Sequence, residues 1–371
     1  MNEKIRLGVI FGGRSGEHEV SLASARSVLS VLDSEKYEVI EIGISHEGEW
    51  WSGKNALKHF EAGNVESLYR VVLLPEPGKA VLYKRLISVK EETLLPIITL
   101  DAIFPVLHGT FGEDGTLQGL LELADIAFVG AGVLGSSVGM DKGLFKEVMR
   151  SQNIPIVDWI ICTKKEIEKI LDAVILRAEK LGNYPLFVKP ANLGSSVGIS
   201  KCKNRSDLGE GLQEAARFDR RILVEKGVNA REIEISVLGN EDPQVSLPGE
   251  VRPSDEFYSY RAKYIDGKSE LLIPAHLNPQ QIKKIQTIAL QTYRAIDCAG
   301  MARIDFLMDK ENDNIFVNEV NTIPGFTSIS MYPKLWEASG LPYAKLVDRL
   351  VDLGLERKQE RDQIERKFNR S

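Results

Sequence analysis

Lys4-Ile5-Arg6-Leu7-Gly8-Val9-Ile10-Phe11 is a mainly apolar run that stops at Gly12-Gly13, and it reads as a buried strand. Val20, Leu22, Ala23, Val28, Leu29 and Leu32 then recur at helical spacings, and Tyr37–Ile44 reads as a second strand. A strand, a helix and a strand in this order commit the chain to a parallel pair with a right-handed crossover, because a hairpin cannot join parallel strands. The chain therefore opens with an α/β domain.

Ala102–Leu107 and Ile126–Val129 extend that sheet, whereas 45–98, with Pro75 and Pro77, shows no period that orders it. Glycine and serine become dense at 130–139, so the first domain is set at 1–138, ahead of a helix over Asp141–Ser151. A second unit, 139–226, has strands Val157–Cys162 and Leu186–Lys189 on either side of a helix over Lys165–Leu181. A third, 227–355, is strand-rich, with Glu232–Leu238, Val245–Val251 and a helix over Pro279–Ile296. Within it 252–270 is polar and aromatic without a period, the character of a lid. From Glu356 to Ser371 the chain is charged all round and is expected to fray into solvent.

Composition removes several function classes. The chain has 371 residues and a formal net charge of −6, so it lacks the basic excess that nucleic-acid binding needs. Cys162, Cys202 and Cys298 form neither a paired framework nor a zinc spacing, which suits a reducing compartment. No apolar run is long enough to span a bilayer, and the N-terminus enters a strand at once. A cytoplasmic enzyme or binding protein, with no membrane or nucleic-acid partner, is the expectation.

The chemistry concentrates in a late hairpin. Ala302–Met308 and Ile315–Asn321 read as strands joined by a polar turn. Alternation puts Arg303 and Asp305 on one face, and Glu319 and Asn321 on one face of the partner strand. Two carboxylates, an amide oxygen and a guanidinium in one patch suit Mg²⁺ bridged to phosphate. A solvated acidic face would carry the same residues; the apolar neighbours of each favour a half-buried sheet lining a cleft.

Two glycine motifs compete for a nucleotide. Gly130-Ala131-Gly132-Val133-Leu134-Gly135 matches the dinucleotide fingerprint, but it closes an α/β domain instead of opening one. Lys189-Pro190-Ala191-Asn192-Leu193-Gly194-Ser195-Ser196-Val197-Gly198 lies between apolar strands and reads as a hairpin tip. Its small residues can offer N–H groups to phosphate beside the Lys189 cation, or it can be an ordinary turn. Ile222–Gly227 reads as a strand entering a linker, where backbone groups can meet adenine and Glu232 ribose; either Glu225 or Glu232 can equally be a surface acid.

Together these features resemble the ATP-grasp superfamily, and within it the D-alanine–D-alanine ligase family, over nearly the whole chain. The resemblance rests on His108-Gly109-Thr110-Phe111-Gly112-Glu113-Asp114-Gly115-Thr116-Leu117-Gln118-Gly119, on Met140-Asp141-Lys142 and on the Lys189 loop. Arg303-Ile304-Asp305 and Asn318-Glu319-Val320-Asn321-Thr322-Ile323-Pro324-Gly325-Phe326-Thr327 complete it, and Gly12–Ser21 is similar as well. It implies a Rossmann-like parallel-sheet domain followed by two α+β subdomains that clamp ATP, with Gly130–Gly135 an exit loop and not a nicotinamide site.

The resemblance further implies ATP-dependent joining of two D-alanines through an acyl phosphate, for peptidoglycan precursor synthesis, by a homodimer. Asp305, Glu319 and Asn321 would hold two Mg²⁺ or Mn²⁺ ions. Lys142, Lys189, Ser196, Glu225, Lys226, Glu232 and Lys263 would contact ATP. Glu17 would pair with the first substrate's ammonium, and Ser195 and Tyr264 would bond to Glu17. Arg303 and the Gly325 N–H would meet the oxyanion, and Ser330 the second substrate's carboxylate. Other implied outcomes are a D-alanine–D-lactate ligase, with Tyr264 standing against it, or another carboxylate–amine ligase of the superfamily. His108 would lie beside the first-substrate site, with no role assigned.

Overall fold

The computed structural model describes residues 3–88, 91–194, 197–252, 270–327 and 329–365. The predicted crossover forms as β1 (Ile5–Gly12), α1 (His18–Leu29) and β2 (Tyr37–Ile44), with β1 and β2 parallel from Ile5↔Tyr37 to Gly12↔Ile44. The stretch 45–98, which showed no order in sequence, is an antiparallel extension of this sheet. It holds β3 (Trp50–Ser52), α2 (Ala56–Glu61), β4 (Tyr69–Leu73), β5 (Val81–Ile87) and β6 (Glu92–Thr99). Then β7 (Ala102–Pro105), α3 (Thr116–Leu123) and β8 (Ala127–Phe128) finish a sheet ordered β6-β5-β4-β3-β2-β1-β7-β8. Both faces of β1 are covered, since Leu7, Val9 and Phe11 enter one core and Ile10 another.

The glycine-serine stretch contains a helix that sequence reading missed, α4 (Val133–Met140), before α5 (Lys142–Ser151). Asp141 caps α5 by accepting from the Leu144 N–H at 2.8 Å. The second unit has β9 (Trp159–Thr163), α6 (Lys164–Ala178), β10 (Leu186–Pro190), β11 (Ser200–Cys202), α7 (Arg205–Phe218) and β12 (Arg221–Lys226). A Thr163–Glu166 capping box starts α6. Its antiparallel sheet runs β11-β10-β12-β9, and Leu186, Val188, Ile222 and Val224 pack in one core with residues of α6 and α7. Alternation sends Lys189 and Glu225 to the opposite face.

The third unit contains β13 (Ala230–Gly239), β14 (Gln244–Val245), β15 (Gly249–Arg252), β16 (Glu270–Leu272), α8 (Pro279–Ala295), β17 (Gly300–Asp309), β18 (Ile315–Asn321), α9 (Met331–Ala338) and α10 (Tyr343–Asp362). Its sheet runs β16-β15-β13-β17-β18, with β14 on β13. Ala302, Ile304 and Phe306 share a core with Ile285, Ile288 and Ala289 of α8, so Arg303 and Asp305 face the other way. The chain does not fray from Glu356, as its uniform charge suggested. Helix α10 continues to Asp362, Leu346, Val347 and Leu350 join the core under β1, and Arg361 pairs with Glu122 and Asp125 of the first domain. Charges that look solvated in sequence are here partners of another element.

The fingerprint glycines serve packing. A Cβ at Gly135 would lie 3.0 Å from the Asp297 carbonyl oxygen, one at Gly300 would meet the Gly130 backbone, and the Gly130 carbonyl accepts from Arg357. The loop is the seam between the first and third units.

Candidate active site

The cleft face of the third sheet carries the acid cluster in the expected register. Arg303 pairs with Asn321, and Asp305 with Glu319, across β17 and β18. A bulge follows at once, because Phe306 pairs with Val317 and Asn318 is left over. The extra residue lets Glu319 and Asn321 face the cleft while Val317 and Ile315 remain in the core. Arg303 holds Asp305 through Nε and Nη2, both at 2.7 Å, and Asn321 Nδ2 donates to Asp305 Oδ2 at 3.0 Å.

Sequence reading missed Glu234. On β13 it lies opposite Asp305, and its Oε2 is 2.8 Å from Arg303 Nε. Burial works against a charged Arg303, but Asp305 and Glu234 overcome it and hold the guanidinium well above its ordinary pKa. The available signal was the alternation Glu232-Ile233-Glu234-Ile235, which puts both acids on one face.

From the second sheet come the lysines. Lys189 Nζ is 2.5 Å from Glu225 Oε2, and Lys146 Nζ is 2.8 Å from Glu225 Oε1. Burial alone would push the Glu225 carboxyl up, yet the two ammoniums outweigh it and hold it at about 2. Burial pushes the Lys146 ammonium down, whereas for Lys189 the field of Glu225 overcomes burial and raises it. Glu319 acts on both lysines and Glu232 acts on Lys189, so the sheets present opposite charges across one cleft. Lys146 was also missed; it lies one turn after Lys142 on α5, a spacing that sequence alone offers.

Lys142 reaches the glycine-serine loop, donating from Nζ to the Leu193 carbonyl at 2.7 Å. The Lys226 and Gly227 N–H groups donate to the carbonyls of Asp158 and Pro185, so the strand exit is tied into its own subdomain. Ser195, Ser196, Lys263, Tyr264 and, of the lid expected over 252–270, residues 253–269 lie outside the described residues.

On the first-domain side Glu17 is 8% exposed and sits where two loops close on it. A Cβ at Gly109 would be 2.5 Å from Glu17 Oε2, and one at Gly194 would be 3.0 Å from it. Gly109 also has φ +74, so two requirements specify glycine there. Glu113 accepts from the Gly109 N–H at 2.6 Å. Burial, and then the nearby Glu17 carboxylate, push the Glu113 carboxyl up to about 8. His108 is a brace. Its Nδ1 is 3.0 Å from the Ile323 carbonyl oxygen, its Nε2 is 3.0 Å from Ser24 Oγ, and Ser24 accepts from the Phe326 N–H. This chain ties the first domain to the segment after β18 that contains Gly325.

Gly325 and Ser330 adjoin, since a Cβ at Gly325 would be 2.8 Å from Ser330 Oγ. The Thr327 N–H donates to Ser330 Oγ at 3.0 Å, and Ser330 is the N-cap of α9, where helix dipole and N–H groups favour an anion.

Comparison with known proteins decides the family. Residues 6–131 match the D-ala D-ala ligase N-terminus and residues 148–352 the D-ala D-ala ligase C-terminus. The chain belongs to the D-alanine–D-alanine ligase family. It is 48% identical to the D-alanine–D-alanine ligase of Natranaerobius thermophilus over 370 residues, covering 100% of both chains. It is 49% identical to that of Thermoanaerobacter sp., over 97% of this chain and 99% of the relative. Among solved structures, the D-alanine–D-alanine ligase of Coxiella burnetii superposes with TM-score 0.80 at 36% identity, over 97% of each chain. The VanG D-Ala:D-Ser ligase of Enterococcus faecalis superposes with TM-score 0.82 at 34% identity, over 95% of this chain and 100% of that one. Membership in the D-alanine–D-alanine ligase family accounts for the ATP-grasp architecture, and no described helix is long and apolar enough to cross a membrane.

Proposed function

We propose that this protein joins two D-alanines to D-alanyl-D-alanine at the expense of ATP, supplying peptidoglycan precursor synthesis. The observation that carries the reading is the convergence of Arg303, Asp305, Glu319 and Asn321 with Lys189, across one cleft, next to Glu17.

Asp305, Glu319 and Asn321 offer only hard oxygen donors towards a cation, which fits Mg²⁺ or Mn²⁺ and not a softer ion. These residues would hold two such ions, with Glu319 shared, and the ions would neutralise charge on the β- and γ-phosphates. Lys142 and Lys189 oppose the triphosphate charge, while Ser196, Glu225, Lys226, Glu232 and Lys263 form the rest of the nucleotide site. Glu225 acts through the two lysines that it orients.

Glu17 pairs with the ammonium of the first D-alanine. A carboxylate oxygen of that substrate attacks the γ-phosphorus and ADP leaves, which needs positioning and charge neutralisation and no covalent protein nucleophile. The amine of the second D-alanine then attacks the acyl carbon; phosphate leaves and the amine loses a proton. Arg303 and the Gly325 N–H stabilise the oxyanion, with Glu234 and Asp305 keeping the guanidinium in place. Ser330, at the start of α9, takes the second substrate's carboxylate. Ser195 and Tyr264 would bond to Glu17 and fix it. The protein works as a homodimer through its first domain.

The identity of the second substrate is tested by competition. Purified protein with ATP, Mg²⁺ and D-alanine is expected to form the dipeptide, and D-serine or D-lactate offered in competition is expected to enter poorly. Preferred incorporation of D-serine or D-lactate would assign another ligase specificity, and failure to use any D-amino acid would remove the reading.

A further inference from the structure

A second cluster of ligating side chains lies beyond the C-terminal ends of the first two strands, built from nitrogen as well as oxygen. His18 and Glu19 open α1, and His46 stands on the turn after β2. One nitrogen from each ring and one Glu19 carboxylate oxygen all lie within 4.8 Å of one another. His18 is buried, and its Nδ1 is 2.8 Å from the Gly13 carbonyl oxygen. That bond keeps the proton on Nδ1 and leaves Nε2 as a lone pair, the arrangement a metal-binding imidazole needs. The turn bearing His46 is held by Ser45 N–H to Glu49 O at 2.9 Å and Gly48 N–H to Ser45 O at 3.0 Å.

We propose that His18, Glu19 and His46 form a binding site for one borderline divalent transition-metal ion, of which Zn²⁺ is the best fit. Two imidazoles and a carboxylate select Zn²⁺ over Mg²⁺, whose preference is for all-oxygen sets such as Asp305, Glu319 and Asn321. At metal–ligand distances of about 2.0–2.1 Å, tetrahedral ligands stand about 3.4 Å apart, so the cluster must contract by up to about 1.4 Å. Glu19 and His46 are exposed and can supply that by side-chain rotation, while the buried His18 stays fixed. The imidazole rings now lie stacked, with centroids 3.9 Å apart, and an ion between their nitrogens would open that stack. The site joins the start of α1 to the β2 turn, one residue from Glu17, and shares no ligand with the phosphate cleft.

The test is a Zn²⁺ titration of the full chain, free of any purification tag, with millimolar Mg²⁺ present to occupy the oxygen sites. Wild type is expected to bind one equivalent saturably and to melt at higher temperature when loaded. His46→Ala and Glu19→Gln are each expected to weaken binding at least tenfold, and His276→Ala, at an exposed position elsewhere, to leave it unchanged. Absence of saturable binding by wild type, or equal affinity in His46→Ala, would overturn the site. Co²⁺ gives an independent reading, because visible bands of a four-coordinate ion should appear in wild type and vanish in His46→Ala.

Discussion

Arg303 grips Asp305 on the same strand, with Nε and Nη2 each 2.7 Å from a different carboxylate oxygen. Since Asn321 donates to Asp305 as well, the acid is oriented by two neighbours. The same guanidinium that would meet the oxyanion thus orients a proposed metal ligand, which would couple the phosphate end of the site to the acyl end.

Glu319 is the acid that faces both sheets, opposite Asp305 and within the field of Lys146 and Lys189. Glu319→Gln is expected to abolish turnover and leave the circular dichroism spectrum and melting cooperativity unchanged. Wild-type rates at modest Mg²⁺ would remove the proposed metal role.

Glu234 touches no substrate in this account and acts through Arg303. Glu234→Gln is expected to lower kcat by about 10-fold or more, the scale found when a supporting residue behind a site is lost, with little change in KM for ATP. Glu234→Asp should recover part of that loss. A kcat equal to wild type would mean that Asp305 alone positions the guanidinium.

Glu225 is 3% exposed between two lysines, so Glu225→Gln removes the carboxylate that both buried cations pair with directly. The expected loss of stability is about 3–5 kcal/mol, read from urea unfolding at pH 7. Its pH dependence has a defined sign. The folded carboxyl titrates at about 2 and the unfolded one near its ordinary 4.5, so the stabilisation is complete above 4.5 and lost as pH falls toward 2. Wild type and variant should therefore converge in acid, and a constant gap from pH 7 to pH 3 would contradict the ion-pair account.

The metal hairpin was legible because period-two alternation fixes which face each residue takes, and Arg303 with Asp305, and Glu319 with Asn321, obey it within their strands on one side of the bulge. The opening crossover was legible for a similar reason, as its apolar period changes from strand to helix and back. Residues 45–98 were not, because β3 to β6 add at the edge of the sheet and bury only part of each strand, which leaves a weak pattern. Helix α4 was hidden by its own small residues. Gly135 and Gly139 allow close approach to the third unit, and at that seam packing outweighs helix propensity. Lys146, Glu234 and Glu113 escaped notice because their importance lies in partners on other elements, and a single acid or lysine does not announce its partner.

The cleft is expected to activate a D-alanine carboxylate as an acyl phosphate. D-alanine labelled with ¹⁸O in its carboxylate tests it directly by mass spectrometry of the phosphate released. Transfer of one labelled oxygen to phosphate per dipeptide formed is the expected result. Unlabelled phosphate, with the displaced labelled oxygen found in water or in the nucleotide product instead, would contradict the account.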